Sequence, residues 1–235
     1  MIDKSTAEDL KLLLTNQGFK KRGNAYFRVI GDGVLQNIKF QYERVDECHI
    51  LCVGVHSLYG ELLPQWLTSS GCIPNHCIFN LLPDQYDNRF RLKNAEVSAE
   101  EQVKFLRDFG INKLNTVTTQ KALADFMCQL DKNERGKITW NDMRKFAPFL
   151  ACENYDLALR VLSDILVQHY SSLIGCANDG DTKLLSIKLQ RLVAEDDLYI
   201  KLYYALKMEH FEPVTEYLSR NYSINSDLCR TLKLI

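Results

Sequence analysis

The chain has 235 residues, 46% of them hydrophobic and 25% charged, and its 29 basic residues nearly balance its 30 acidic ones for a formal net charge of −1. That length suits one large domain or two modest ones, and 11 Phe, 11 Tyr and 2 Trp supply enough apolar surface to exclude an intrinsically disordered chain. Balanced charge argues against a nucleic-acid binder, which gathers basic residues on one face, and no run approaches the ~18 uninterrupted apolar residues of a membrane-spanning helix.

The opening Met1-Ile2-Asp3-Lys4-Ser5 lacks the charged-then-apolar order of a secretion signal. A cytoplasmic location is therefore expected, with the cysteines at 48, 52, 72, 77, 128, 152, 176 and 229 kept as reduced, mostly buried thiols. Ser5-Thr6-Ala7-Glu8 fits a capping box, Leu10, Leu13 and Leu14 repeat at helical spacing, and Gly18 offers a left-handed stop. Lys20-Lys21-Arg22 reads as a solvated turn that complements the helix dipole.

From Asn24 the period becomes two. Ala25, Phe27 and Val29 alternate with Tyr26 and Arg28, and Ile30-Gly31-Asp32-Gly33-Val34 carries turn chemistry between two extended runs. In the second run Val34, Ile38, Phe40 and Tyr42 share one parity and Asn37, Lys39, Gln41 and Glu43 the other, which predicts a core face and a wet face. A third strand, buried on both faces, is expected over 49–55 and completes an antiparallel meander. Residues 59–67 suggest a short helix interrupted by Pro64, and 77–82 and 90–92 suggest two more short strands.

Beyond Ser98 the pattern is helical. Ser98-Ala99-Glu100-Glu101 is a second capping box, and Val103, Leu106 and Phe109 lead to a stop at Gly110. Helices are expected over about 119–130, 140–150, 154–170, 183–194, 197–208, 211–220 and 226–233, with a loop at 175–182. Asn154-Tyr155-Asp156-Leu157-Ala158 and His210-Phe211-Glu212-Pro213-Val214 each open a helix with an aromatic residue, as helical-hairpin repeats do. Two such matches fall short of the ~3 repeats a solenoid needs. The fold class is thus α+β: an antiparallel β-meander packed with helices, followed by an all-helical C-terminal region. The expected organisation is a sheet region over 1–96, helices completing it over 97–130, and the helical region over 131–235.

Gly18-Phe19-Lys20-Lys21-Arg22-Gly23-Asn24-Ala25-Tyr26-Phe27-Arg28, followed by Val34-Leu35-Gln36-Asn37-Ile38-Lys39-Phe40-Gln41, resembles a bacterial family catalogued as domain of unknown function 4304. The resemblance spans about the first 130 residues. It implies a leading helix, a Gly-Phe-basic-basic turn, an aromatic strand, a strand ending in Phe-Gln, a later strand through Val53-Gly54-Val55, and a helical segment over 100–126. The family's arginine after a mid-domain cysteine has no counterpart in Cys77-Ile78-Phe79-Asn80-Leu81-Leu82, and its tryptophan-rich turn is also missing, the next tryptophan being Trp140. The family carries no established activity, so the resemblance implies a fold and no chemistry.

Several constellations could carry chemistry. Residues 131–142 follow the twelve-residue calcium loop, with Asp131 first, Asn133 third, Gly136 sixth and Asp142 last. Arg135 puts a cation where an oxygen ligand belongs, and Asp142 is short for the bidentate grip, so the loop is expected to be silent. Cys48, His49, Cys52, His56, Cys72, His76 and Cys77 crowd one window with soft ligands that suit zinc. Yet Cys48 and Cys52 would stand about 13 Å apart on a strand, so no zinc site is expected. His76 and Cys77 would point to opposite faces, which makes a poor nucleophile–base pair. No Gly-x-Ser-x-Gly, phosphate loop or dinucleotide fingerprint occurs.

There remains the polar sheet face, with Arg28, Asn37, Lys39 and Gln41 as candidate binding residues and Glu43 and Tyr26 beside them. The functional expectation is a non-enzymatic cytoplasmic interaction module that binds a protein partner or itself, without cofactor, nucleic acid or membrane. An enzyme or small-ligand binder built on that face is the alternative. An immunity-type inhibitor is a third reading, by analogy of class alone.

Overall fold

A computed structural model describes residues 3–43, 48–62, 67, 76–77, 97–131, 140–178 and 182–235. The protein is α+β, with an antiparallel sheet followed by a helical C-terminal region. Helix α1 (Lys4–Asn16) is capped two residues before the predicted Ser5. Asp3 is its cap, accepting from the Thr6 backbone N–H at 2.9 Å and from the Thr6 hydroxyl at 2.6 Å. A carboxylate that takes both donors outcompetes the Ser5 hydroxyl for the orphan amides. Gly18 closes the helix in the left-handed region, and the Phe19 N–H returns to Leu14 O.

Strands β1 (Lys20–Arg22), β2 (Ala25–Ile30), β3 (Val34–Glu43), β4 (Cys48–Ser57) and β5 (His76–Cys77) lie in sequence order, each antiparallel to the next. This is the predicted meander. The turn between β2 and β3 uses Gly31 and Gly33, both at positive φ. It docks on the segment before the fourth helix, where the Asp32 N–H donates to Thr118 O, while the Gln120 N–H and side chain donate to the Asp32 carboxylate and carbonyl.

Both faces of the sheet are covered. On the first, Tyr26, Val34, Ile38, Leu51, Val53 and Val55 meet Leu10 and Leu14 of α1 and the apolar sides of the following helices. Those helices are α2 (Ala99–Phe105), a π-helical turn (Leu106–Gly110), α3 (Ile111–Asn115) and α4 (Gln120–Asp131). The Ser98 box forms as predicted, but Gly110 does not stop the helix. Ile111 and Leu114 continue the buried stripe, and a π turn absorbs the change of register. On the second face Ala25, Phe27 and Leu35 meet Leu58, Leu62 and Leu67, and also Cys229 and Leu234 from the far end of the chain.

The helical region comprises α5 (Trp140–Ala151), α6 (Tyr155–Asn178), α7 (Thr182–Lys207) and α8 (Glu212–Thr231). Two predicted breaks are absent, because 183–194 with 197–208 and 211–220 with 226–233 each form one long helix. Its own core gathers Phe146, Phe149, Leu150, Ala158, Leu162, Tyr199, Leu202, Val214 and Tyr217, with Ala124 from α4. The two look-alike segments are structurally equivalent. Glu153 and Glu209 both adopt positive φ, and the next N–H reaches back five residues in each, Asn154 to Phe149 O and His210 to Ala205 O. Tyr155 and Phe211 then stack on each other with centroids 4.4 Å apart. A left-handed non-glycine costs about 1–2 kcal/mol, and this aromatic contact helps to offset it.

Helix α8 ties the helical region to the sheet. Val214 and Tyr217 belong to the helical core, while Cys229 and Leu232 lie on the second sheet face. Asn225 donates to Leu58 O and Gly60 O at 2.8 and 2.7 Å, and the Arg22 guanidinium donates to Leu232 O at the helix end. Tyr222 stacks on Tyr59. Of the short helix expected over 59–67, residues 59–62 form a turn and coil, Leu67 lies in a 3-10 turn, and 63–66 lie outside the described residues. The proposed strand at 90–92 and all but the first residue of that at 77–82 lie outside the described residues, as do residues 132–139 of the calcium-like loop.

Candidate functional site: a cleft between the first helix and the sheet

The four predicted site residues do not share one surface. A three-residue turn separates Ile30 from Val34, so even-numbered residues of β2 pair with even-numbered residues of β3, and Arg28 pairs with Gln36. Arg28 therefore faces the first core, whereas Asn37, Lys39 and Gln41 face the second. Nor is the expected wet face wet at its centre. Arg28, Asn37 and Lys39 are 6%, 0% and 7% exposed, and only Gln41 is open to solvent. The chain's own C-terminal end covers much of that face.

Arg28 is a structural clip. Its guanidinium donates to Gln36 Oε1 (2.9 Å), to Gln17 O at the end of α1 (2.9 Å) and to Asn115 Oδ1 at the end of α3 (2.6 Å). It also lies 4.4 Å from the centroid of the Phe19 ring. Two helix C-termini, each carrying partial negative charge, thus meet one buried cation. Burial lowers the Arg28 pKa from its ordinary value, but with a starting value so high it stays charged. Gln36 completes the clip by donating to Leu114 O and Val117 O.

Asn37 is the opposite case. Both of its side-chain polar atoms are buried, and neither has a hydrogen-bond partner among the described residues. Its cross-strand neighbours are Phe27 and Gly54, neither of which can serve a side-chain carboxamide. Leaving a buried polar group unsatisfied costs about 1–3 kcal/mol. Asn37→Val, which suits a strand and removes both orphaned atoms, is expected to raise the urea midpoint by the equivalent of about 1 kcal/mol. A lowered midpoint would mean that ordered water already satisfies the amide.

A hollow of about 380 Å³ opens elsewhere, on the first face between the N-terminal half of α1 and the ends of β1–β4. Leu10, buried, and Phe40, half-buried, form apolar walls. Ala7, one turn before Leu10, is too small to fill the gap. Tyr26 provides a floor, with the Lys21 ammonium 5.7 Å from its ring centroid. Asn24, in the β1–β2 turn, and His49, early in β4, add a carboxamide and an imidazole. Burial raises the Tyr26 phenol above its ordinary pKa, so near neutral pH it is an O–H donor. The volume lies in the lower part of the ~300–1,000 Å³ range of small-molecule sites.

Sequence reasoning missed this cleft. Lys21 is exposed as expected of a solvated residue, but it lies in a short strand paired with Tyr26 rather than in a turn. The parity of His49 with Leu51 and Val53 was the available signal, because it places the imidazole on the α1 side. The cysteine- and histidine-rich window is split in the same way: Cys52 and His56 are buried on the second face, and His49 lines the cleft on the first. Cys52 and Cys77 are Cα partners across β4 and β5, and Cys72 lies outside the described residues. Among the described residues no three His, Cys, Asp or Glu side chains come together as a metal site, and no helix is long and apolar enough to cross a membrane. Comparison with protein-family models, with curated proteins and with solved structures finds no match to this chain.

Proposed function

We propose that the protein is an interaction module that associates with a second copy of itself through the outer side of its helical region. The observation that carries the reading is the distribution of exposed large apolar side chains. Leu12, Phe109 and Ile235 are scattered, but Val167, Tyr170, Leu184, Leu198, Tyr204, Met208, Tyr222 and Ile224 all lie in or beside α6–α8. Val167 with Tyr170 and Tyr204 with Met208 are spaced so that each pair shares a helix face. Tyr204 and Met208 are 62% and 75% exposed. Aromatic residues and methionine are the types enriched at protein interfaces.

The net charge of −1 supports a second copy as occupant, because two such chains repel each other little. Sedimentation velocity across a protein dilution series tests the reading. The wild-type chain is expected to dissociate from dimer to monomer on dilution. Tyr204→Glu combined with Met208→Glu is expected to stay monomeric while keeping its melting temperature, since both positions are exposed. A wild-type chain that is monomeric at every concentration would end the self-association reading.

A further inference from the structure

We propose that the cleft between α1 and the sheet binds a small organic carboxylate carrying an apolar body. The shape of the cleft divides the ligand into two parts. Leu10, Phe40 and the face of Tyr26 offer apolar surface, which recovers free energy only from a ligand with apolar atoms to bury. At the rim Lys21 supplies a charge and Asn24 a carboxamide, and the buried Tyr26 of the floor carries a neutral hydroxyl.

Among the described residues that line the cleft there is no carboxylate, and the Lys21 ammonium is the lining's one full charge. A cation flanked by neutral donors favours an anion, and the apolar walls select against a bare inorganic one. The inference is independent of self-association, because the cleft lies on α1 and the sheet rather than on α6–α8.

The test titrates 3-phenylpropionate, and separately its neutral amide, into the isotopically labelled full chain and follows backbone amide resonances. The acid is expected to produce saturable shifts at Ala7, Leu10 and Asn24. The amide should bind at least about tenfold more weakly, as loss of a charge-assisted contact implies. Lys21→Gln, at an exposed position, is expected to bring the acid down to the level of the amide with the rest of the spectrum unchanged. Ala7→Trp, which fills the hollow, should abolish binding of both.

The proposal is overturned if the acid causes no saturable shift at these residues up to about 10 mM. It is equally overturned if acid and amide bind alike, or if Lys21→Gln leaves the preference for the acid intact.

Discussion

Gly31→Ala is expected to lower stability by about 4 kcal/mol or more, among the largest effects of a single methyl group in this protein. Gly31 sits in the left-handed region with φ of 58°. A Cβ added there would lie 1.7 Å from Thr118 O and 2.7 Å from Thr118 C, both of them backbone atoms. No rotamer change relieves such a clash. The turn and the segment before α4 would have to separate, breaking the Asp32–Thr118 and Gln120–Asp32 hydrogen bonds. The Ser57–Gln120 contact at 2.6 Å would be strained with them.

Gly18 supplies the control. Its φ of 78° carries the same backbone penalty, but a Cβ there meets nothing within 4 Å. Gly18→Ala should therefore cost only the left-handed term of about 1–2 kcal/mol. Urea unfolding of the two variants side by side separates the clash from the conformational cost. Equal losses would show that the hairpin tip is not seated on Thr118.

How far the fold could be read in advance follows from the range of the forces involved. The meander was legible because period-two alternation and the Gly31-Asp32-Gly33 turn are local signals. The Ser98 capping box was legible for the same reason. The failures were non-local. Nothing near Asn37 or Lys39 in sequence announces that Leu228, Cys229, Leu232 and Leu234 return to cover their face. The break expected within α8 is absent because Val214 and Tyr217 pack into the helical core while Cys229 packs on the second sheet face, so one continuous helix serves two cores without a single apolar stripe.

The side on which Arg28 lies is a local matter, since a three-residue turn fixes which residues of β2 and β3 share a face and groups Arg28 with Gln36. Phe40 shares the parity of the expected core face with Val34 and Ile38. At the wall of the cleft it is half-buried, and the cost of Phe40→Ala should fall below the ~3–5 kcal/mol of a fully buried Phe. The cleft itself depends on the smallness of Ala7 against strands that only tertiary packing brings near it.

Arg28→Met is expected to destabilise the protein by about 2–4 kcal/mol, and Arg28→Lys is expected not to restore it. Hydrogen bonds to a charged group contribute about 1.5–3 kcal/mol each, and truncation leaves their buried partners unpaired. Three acceptors on three elements, Gln36 Oε1, Gln17 O and Asn115 Oδ1, depend on the one guanidinium. Methionine keeps much of the stem's apolar contact, so the loss reports the polar network rather than a cavity. Lysine keeps the charge but presents a single ammonium where a planar fork reaches outward in three directions, and it forgoes the stacked geometry over Phe19. Asn115 would keep one tie to the end of α1, its amide donating to Gln17 Oε1 at 3.3 Å, which is too long to hold the two helix ends alone. Amide hydrogen exchange should accordingly quicken at the C-terminal turns of α1 and α3 before it does in β3 and β4. If Arg28→Met unfolds at the wild-type urea concentration, the guanidinium does not hold these elements together, and Arg28 becomes available again as a recognition residue.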